Sequence, residues 1–265
     1  MAEDEISENE DQASPPMVTA VPVAPADLIR AADPALTEDV ALSLLKRPEL
    51  QGEVIELLAK NANVRKSRKV KIAVASHPHT PRHVSVPLAR QFYIFDLMKL
   101  ALSPGVPADV RIAVDDVLIS RLQTVTIGER LTLARRASGR VAAALLTEAT
   151  GSDGTKVDGD AIDEAMAARH RRLLRAALEN PRLTEALVIK AVLHPAAGSA
   201  LVEAVAHHER WSRRRAVRAT LLRCQHLSLA QAQELAREIP VARLRELLAT
   251  SRLPDSVKKQ LLREN

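Results

Sequence analysis

Residues 34–38 read PALTE and residues 181–185 read PRLTE, so two nearly identical pentapeptides lie 147 residues apart. Shifting the chain against itself by this offset aligns residues 30–118 with residues 177–265 without an insertion or deletion. Seventeen of the 89 aligned positions are identical, and they concentrate at prolines, helix caps and apolar positions. We interpret this pattern as an internal duplication, because self-similarity at a fixed spacing is the signature of repeat architectures.

A proline spacing recurs within both copies and predicts where helices begin. A proline is followed three residues later by Thr, Pro or a small polar residue, and after three more by Val or Leu. The first proline ends the preceding helix. The Thr, Pro or small polar residue three positions later caps the new helix or occupies its first turn. The Val or Leu begins the apolar stripe of that helix. Instances include Pro34-Thr37-Val40, Pro48-Gln51-Val54, Pro78-Pro81-Val84, Pro104-Pro107-Val110, Pro181-Thr184-Leu187 and Pro195-Gly198-Leu201.

This spacing predicts an all-α protein of short helices, in two related six-helix halves at residues 30–122 and 177–265. A helical linker over residues 123–176 joins them, with a capping box at Thr126–Glu129 and an exposed, glycine-rich loop at residues 150–160. Residues 1–29 are expected to be a disordered acidic and proline-rich tail. The predicted helices lie near 38–46, 51–60, 66–76, 81–91, 94–102 and 107–122, near 128–136, 138–148 and 161–179, and near 185–193, 200–208, 212–223, 229–238, 241–249 and 254–263.

The composition limits the class of protein. Aromatic residues make up 2 % of the chain and apolar residues 46 %, so the core must consist of Leu, Val, Ile and Ala. The sequence has no run of about 18 apolar residues that could cross a bilayer, and its N-terminus is acidic where a secretory signal is basic. The lone Cys224 excludes an intramolecular disulfide and a cysteine-ligated cluster. These features predict a cytoplasmic protein without a membrane partner.

Two segments show the repeat most clearly: HPHTPRHV at residues 77–84 and ENPRLTEAL at residues 179–187. A proline turn followed by Thr-Pro or Thr-Glu and a short apolar helix resembles HEAT-like repeats, and most of all the bacterial leucine-rich-repeat-variant type. The resemblance covers residues 30–265. It implies an α-solenoid, a curved scaffold that binds partners, and it brings no catalytic residues. Some variant-repeat proteins carry an N-terminal cysteine-ligated iron–sulfur cluster, which a chain with one cysteine cannot form, so no cofactor is expected.

Basic residues form three clusters, two of them at related positions of the copies. If the halves stack in register, the clusters would form a stripe suited to a phosphate backbone or another polyanion. Alternatively, they are ordinary solvated helix faces balanced by nearby acids. The net charge is +5, and +11 without the six acids of residues 1–12. The clusters are Arg65, Lys66, Arg68, Lys69 and Lys71; Arg169, Arg171, Arg172 and Arg175; and Arg210, Arg213, Arg214, Arg215 and Arg218.

The four aromatic residues are Phe92, Tyr93, Phe95 and Trp211. Each is interpreted either as packing between helices or as an anchor for a protein partner. The histidine pairs and the aspartate-rich loop do not match a metal or calcium site, and Cys224 is expected to be a structural thiol.

The sequence shows no nucleophile, metal or phosphate-loop constellation, and this predicts that the protein is not an enzyme. The leading hypothesis is a scaffold or adaptor for an unidentified protein partner. The alternative is sequence-independent binding of duplex nucleic acid by the basic helices, since single strands require aromatic stacking platforms that this chain lacks.

Overall fold

The structure is a computed structural model, and it describes residues 25–148, 160–237 and 239–264. Every regular element within these residues is a helix, which confirms the predicted all-α class. The predicted tail up to residue 24 and nearly all of the predicted loop lie outside the described residues. Residues 25–29, which the sequence analysis assigned to the tail, instead begin the first helix. Asp27 of this helix pairs with Arg47 at 2.9 Å.

Seventeen α-helices follow one another in the described chain, with 3-10 turns at Val64–Lys66 and Leu122–Thr124. They are α1 Pro25–Ala32, α2 Glu38–Leu45, α3 Gly52–Lys60, α4 Arg68–Ser76, α5 Arg82–Ala89, α6 Ile94–Leu102, α7 Ala108–Arg121, α8 Ile127–Arg136, α9 Gly139–Glu148, α10 Asp160–Leu178, α11 Glu185–Val192, α12 Ser199–His207, α13 Glu209–Ser212, α14 Arg215–Leu221, α15 Leu229–Ala236, α16 Val241–Ala249 and α17 Asp255–Glu264. The predicted capping box is confirmed: Thr126 accepts from the Glu129 amide, and the Glu129 carboxylate accepts from the Thr126 amide.

Six helices of the first copy begin 147 residues before six helices of the second. The pairs are α2 and α11, α3 and α12, α4 and α14, α5 and α15, α6 and α16, and α7 and α17. Buried positions recur at the same offset, for instance Ile55 and Val202, Leu97 and Leu244, and Val64 and Trp211, each at most 1 % exposed. Helix starts and core positions therefore share the spacing on which the sequence alignment rests.

Among the described residues, side-chain hydrogen bonds connect alternate turns in two series. In the first turn series, Asn61 donates to the Ala31 carbonyl oxygen at 3.0 Å, and Arg121 donates to the Phe92 carbonyl oxygen at 2.8 Å. An ion pair of 2.6 Å between Arg68 and Asp96 joins the second turn of this series to the third. The first turn series consists of residues 31–37, 61–68, 90–96 and 121–126.

The second turn series lies at the other end of the helices. His77 hydrogen-bonds the Arg47 carbonyl oxygen at 2.9 Å, and Asn180 donates to the Ala134 carbonyl oxygen at 2.7 Å. Trp211 donates to the Leu178 carbonyl oxygen at 2.9 Å. Because alternate turns are joined, successive helices run in opposite directions. The second turn series consists of residues 46–52, 76–82, 103–112, 134–140, 178–184 and 208–215.

Three side chains hydrogen-bond both within their own turn and to the preceding turn of the same series. We call them bridging residues: Asn61, His77 and Asn180. In each, one side-chain atom accepts the backbone N–H two residues later, and another donates to a carbonyl of the preceding turn in the same series. Asn180 is fully buried and its amide donates to two carbonyls, those of Ala134 and Ala137. Such contacts satisfy helix-end carbonyls that have no partner within their own helix.

The buried core is aliphatic, as the composition predicts. A larger cluster runs from Ala75 to Leu261 and a smaller one from Ala31 to Val74, and Leu88 packs against both. Within residues 25–148, 160–237 and 239–264, none of the helices combines the length and the apolar character that crossing a bilayer requires.

Candidate functional site

The first basic cluster is partly neutralised by contacts within the fold. Arg68 pairs with the buried Asp96, and Lys69 lies 3.3 Å from the Glu38 carboxylate. The pKa of Glu38 is lowered, first by a hydrogen bond from Ser67 and then by Lys69. Arg65 and Lys66 are exposed on the preceding 3-10 turn and make no ion pair in the described part of the chain.

The second cluster lies on α10 and is also partly paired. Arg171 lies 3.1 Å from Glu164, and Arg175 lies 3.2 Å from Glu179. Arg169 and Arg172 are exposed. Ion pairs between exposed side chains contribute little to stability, so these arginines remain accessible to a partner.

The third cluster surrounds Trp211. The Arg210 guanidinium lies 4.2 Å from the centre of the Trp211 ring and donates to the Leu183 carbonyl oxygen at 3.4 Å. Arg213 pairs with Glu209 at 3.1 Å, and Arg218 donates to the Ser212 carbonyl oxygen. Arg214 and Arg215 are exposed at the start of α14.

The first and third clusters lie at opposite ends of the helices. Residues 61–68 belong to the first turn series, whereas residues 208–215 belong to the second. Apart from the four-residue α13, which lies inside the turn at residues 208–215, each helix of the second copy follows its counterpart by nine helices, an odd number. Each element of the second copy therefore points opposite to its counterpart. A stripe shared by both copies was predicted only for halves that stack in register, and the first and third clusters instead lie on different turn series.

The structure instead brings four arginines of the third cluster together with three that belong to none of the predicted clusters. Three consecutive turns of the second series carry seven exposed arginines, which we call the arginine edge: Arg135, Arg136, Arg182, Arg210, Arg213, Arg214 and Arg215. Arg182 donates to the Arg136 carbonyl oxygen at 3.3 Å, which joins the first two of these turns. Among the described residues, Arg213 is the only member in an ion pair. The doublet Arg135–Arg136 was visible in the sequence, but its proximity to Arg182 follows only from the packing of the turns.

A groove of about 690 Å³ lies between α10 and α12, next to the arginine edge. Apolar atoms of Ala167, Leu178, Ala200 and Ala204 line it, together with the charged or polar side chains His170, Arg171, Arg175, Glu179, Glu203, His207, His208 and Glu209. Its volume is within the range of ligand-binding clefts. We call it the α10–α12 groove. His208 and Glu209 line the groove and directly precede Arg210 of the arginine edge, so groove and edge adjoin at this turn.

The half-buried His208 side chain lines one side of this groove. Its ring centre lies 6.3 Å from that of Trp211, and its Nδ1 accepts the Arg210 backbone N–H. Burial lowers the pKa of His208, and the nearby Glu179 carboxylate opposes this effect. The His208 imidazole is therefore neutral near pH 7.

The aromatic residues divide into buried and exposed pairs. Phe92 and Trp211 are 4 % and 1 % exposed, so neither ring can contact a partner in this structure. Tyr93 and Phe95 are 71 % and 40 % exposed. Arg68 lies over the Tyr93 ring at 5.0 Å. The hypothesis of aromatic partner anchors is thus limited to Tyr93 and Phe95, because Trp211 occupies the core position that Val64 has in the first copy.

Comparisons with protein-family models, with curated proteins and with solved structures find no match to this chain. In the part of the chain that the structure describes, no group of three His, Cys, Asp or Glu side chains is arranged to hold a metal ion.

Proposed function

We propose that this protein is a non-catalytic scaffold of HEAT-like repeats that binds an acidic segment of a partner protein. In this proposal the helices form a solenoid that arose by tandem duplication. The recurrence of six helix starts at an offset of 147 residues supports the duplication. The hydrogen bonds between alternate turns support the solenoid, since repeats of this kind bury their apolar faces against their sequence neighbours.

The single observation that carries the proposed function is that the arginine edge adjoins the α10–α12 groove at residues 208–210. A peptide with alternating acidic and apolar side chains could place its carboxylates on the arginines and its apolar groups against Ala200 and Ala204. Arginine is suited to this role because its planar guanidinium binds carboxylates through two parallel hydrogen bonds. Arg214 and Arg215 are exposed and make no ion pair with a described residue, so both can contact such a partner.

Affinity capture with matched variants tests the proposal. Immobilised full-length protein is incubated with nuclease-treated lysate of the cells that make it, and captured proteins are quantified by mass spectrometry. We expect a specific protein to be captured by the wild type and lost with Arg214→Glu/Arg215→Glu. Ala204→Gln, which fills the groove without adding charge, should weaken capture as well.

The control is Arg65→Glu/Lys66→Glu, which makes the same change in charge on the first turn series. Capture should be retained by this variant. Identical capture by the wild type and all variants, or capture that disappears on nuclease treatment, contradicts the proposal. Circular dichroism checks that each variant is folded.

A second candidate function is binding to duplex nucleic acid, and the seven arginines of the arginine edge favour it. Fluorescence anisotropy with a labelled duplex should then show an affinity that falls by about 10³-fold between about 50 and 200 mM salt. Arg214→Glu/Arg215→Glu should abolish binding, whereas Ala204→Gln should leave it unchanged. The groove variant thus separates the two functions. Absence of binding at low salt excludes the second one.

A further inference from the structure

Position 224 of the second copy lacks a bridging residue. Under the offset of 147, Cys224 corresponds to His77. The His77 imidazole is 4 % exposed and fills the space between two turns, because Nε2 donates to the Arg47 carbonyl oxygen while Nδ1 accepts the His79 backbone N–H. The shorter Cys224 side chain donates instead within its own turn, to the Thr220 carbonyl oxygen at 3.3 Å.

A cavity of about 340 Å³ lies at this position, and we call it the Cys224 pocket. Three turns form it, at residues 192–197, 223–226 and 250–252. A backbone hydrogen bond of 3.0 Å from the Arg252 N–H to the Arg223 carbonyl oxygen holds the last two turns together. The second copy therefore has an opening where the first copy has a buried imidazole.

The ionisable lining of the Cys224 pocket is basic. Arg223, Arg252, His194 and His226 line it, and no carboxylate does. The guanidinium groups of Arg223 and Arg252 make no hydrogen bond or ion pair with the residues that the structure describes. Both arginines are exposed beside the cavity, so their guanidinium groups are available to an anion.

The two histidines add donors to this lining. His194 Nδ1 accepts the Ala196 backbone N–H, so its proton is on Nε2. Gln225 Nε2 donates to His226 Nε2 at 3.0 Å, so the proton of His226 is on Nδ1. Each imidazole therefore has one N–H that can donate to an oxyanion. Val192, Pro195, Ala197 and Val202 supply apolar surface beside these donors.

We propose that the Cys224 pocket binds a small phosphate monoester, with the phosphate on Arg223 and Arg252 and the organic group against the apolar wall. The dianionic phosphate matches two guanidinium groups, and the apolar wall distinguishes a monoester from inorganic phosphate. The site is separate from the arginine edge and from the α10–α12 groove, and it does not depend on the partner proposed above.

Isothermal titration calorimetry with phenyl phosphate tests this site, with phenol and inorganic phosphate as comparison probes. Phenyl phosphate should bind more tightly than inorganic phosphate, and phenol should not bind measurably. Arg223→Met and Arg252→Met should each weaken binding at least tenfold. Arg172→Met, which removes an exposed arginine on α10, should leave it unchanged.

Cys224→His provides the decisive variant, because it restores the side chain of the first copy. It should abolish binding and raise the melting temperature by filling the cavity. A second readout uses the single thiol of the chain: phenyl phosphate should slow alkylation of Cys224 by neutral iodoacetamide. No binding to the folded wild type, or undiminished binding by Cys224→His, overturns the proposal.

Discussion

The Trp211 indole N–H donates to the carbonyl oxygen of Leu178 at 2.9 Å, at the end of α10. The equivalent carbonyl in the first copy, that of Ala31, accepts instead from the Asn61 side chain at 3.0 Å. The two copies thus satisfy the same helix end with different residues. In the second copy the donor is Trp211, three positions after the residue that corresponds to Asn61. That residue is His208, whose side chain lines the groove.

We expect Trp211→Phe to lower the free energy of unfolding by about 1–3 kcal/mol, since the Leu178 carbonyl loses its donor while a smaller aromatic ring still occupies most of the site. Trp211→Val, which installs the residue of the first copy, should cost more, about 3 kcal/mol or above, because it also leaves a cavity. Urea denaturation followed by circular dichroism measures both. No loss of stability in Trp211→Phe would show that the hydrogen bond contributes nothing.

Gly139 allows two turns of the second series to touch. A Cβ atom at this position would lie 2.3 Å from the Arg182 carbonyl oxygen, which is backbone and cannot turn aside. Gly139→Ala should therefore destabilise the fold by about 1–3 kcal/mol. The matched control is Gly128→Ala in α8, where a Cβ would meet nothing within 4 Å. This control should be neutral or stabilising by up to about 1 kcal/mol.

Asn180→Asp tests the buried bridging residue. The substitution replaces an amide that donates to the Ala134 and Ala137 carbonyls with a carboxylate that repels them. Because the site is fully buried, we expect a loss of about 3–5 kcal/mol at pH 7, with partial recovery at acid pH as the carboxyl protonates. Asn61→Asp changes the bridging residue of a half-exposed turn and should lower the free energy of unfolding by about 1 kcal/mol. Similar losses at both positions would contradict this account.

Asp115 is buried in α7, and burial raises the pKa of its carboxyl against the weaker opposing effects of Ser138 and Arg140. The folded state then binds more protons than the unfolded state between pH 3.8 and the raised pKa, so stability falls as pH rises through this window. Asp115→Asn should raise the melting temperature at pH 7 by about 2–4 °C. The gain should shrink toward pH 4. The neighbouring exposed Asp116→Asn serves as control and should change little.

His208 should make stability depend on pH in the opposite direction. Because burial lowers the pKa of His208 below 6.5, the unfolded state binds more protons in the window between these values. Stability should therefore fall as pH drops from 7.5 to 5.5. His208→Asn, which installs the residue of the first copy, should reduce this fall without altering stability at pH 7.5. An unchanged pH dependence in the variant would assign the effect to other groups.

The sequence predicted the helix starts well, because Pro turns and caps such as Thr126–Glu129 act locally. It also predicted the aliphatic core. It could not predict which side of the molecule each turn occupies, because this depends on counting every helix between two positions, including α8 to α10. The arginine edge was missed for this reason: Arg136 and Arg182 are 46 residues apart and meet only through packed turns. The roles of His77 and Asn180 likewise depend on contacts with earlier turns.

The odd number of helices between the copies has one more consequence. Corresponding turns of residues 34–118 and 181–265 belong to opposite turn series, so the two segments do not present the same surface side by side. Two ligands bound at corresponding turns would be separated by the length of a helix, with the aliphatic core between them. Ligands bound at corresponding turns would therefore not share one surface.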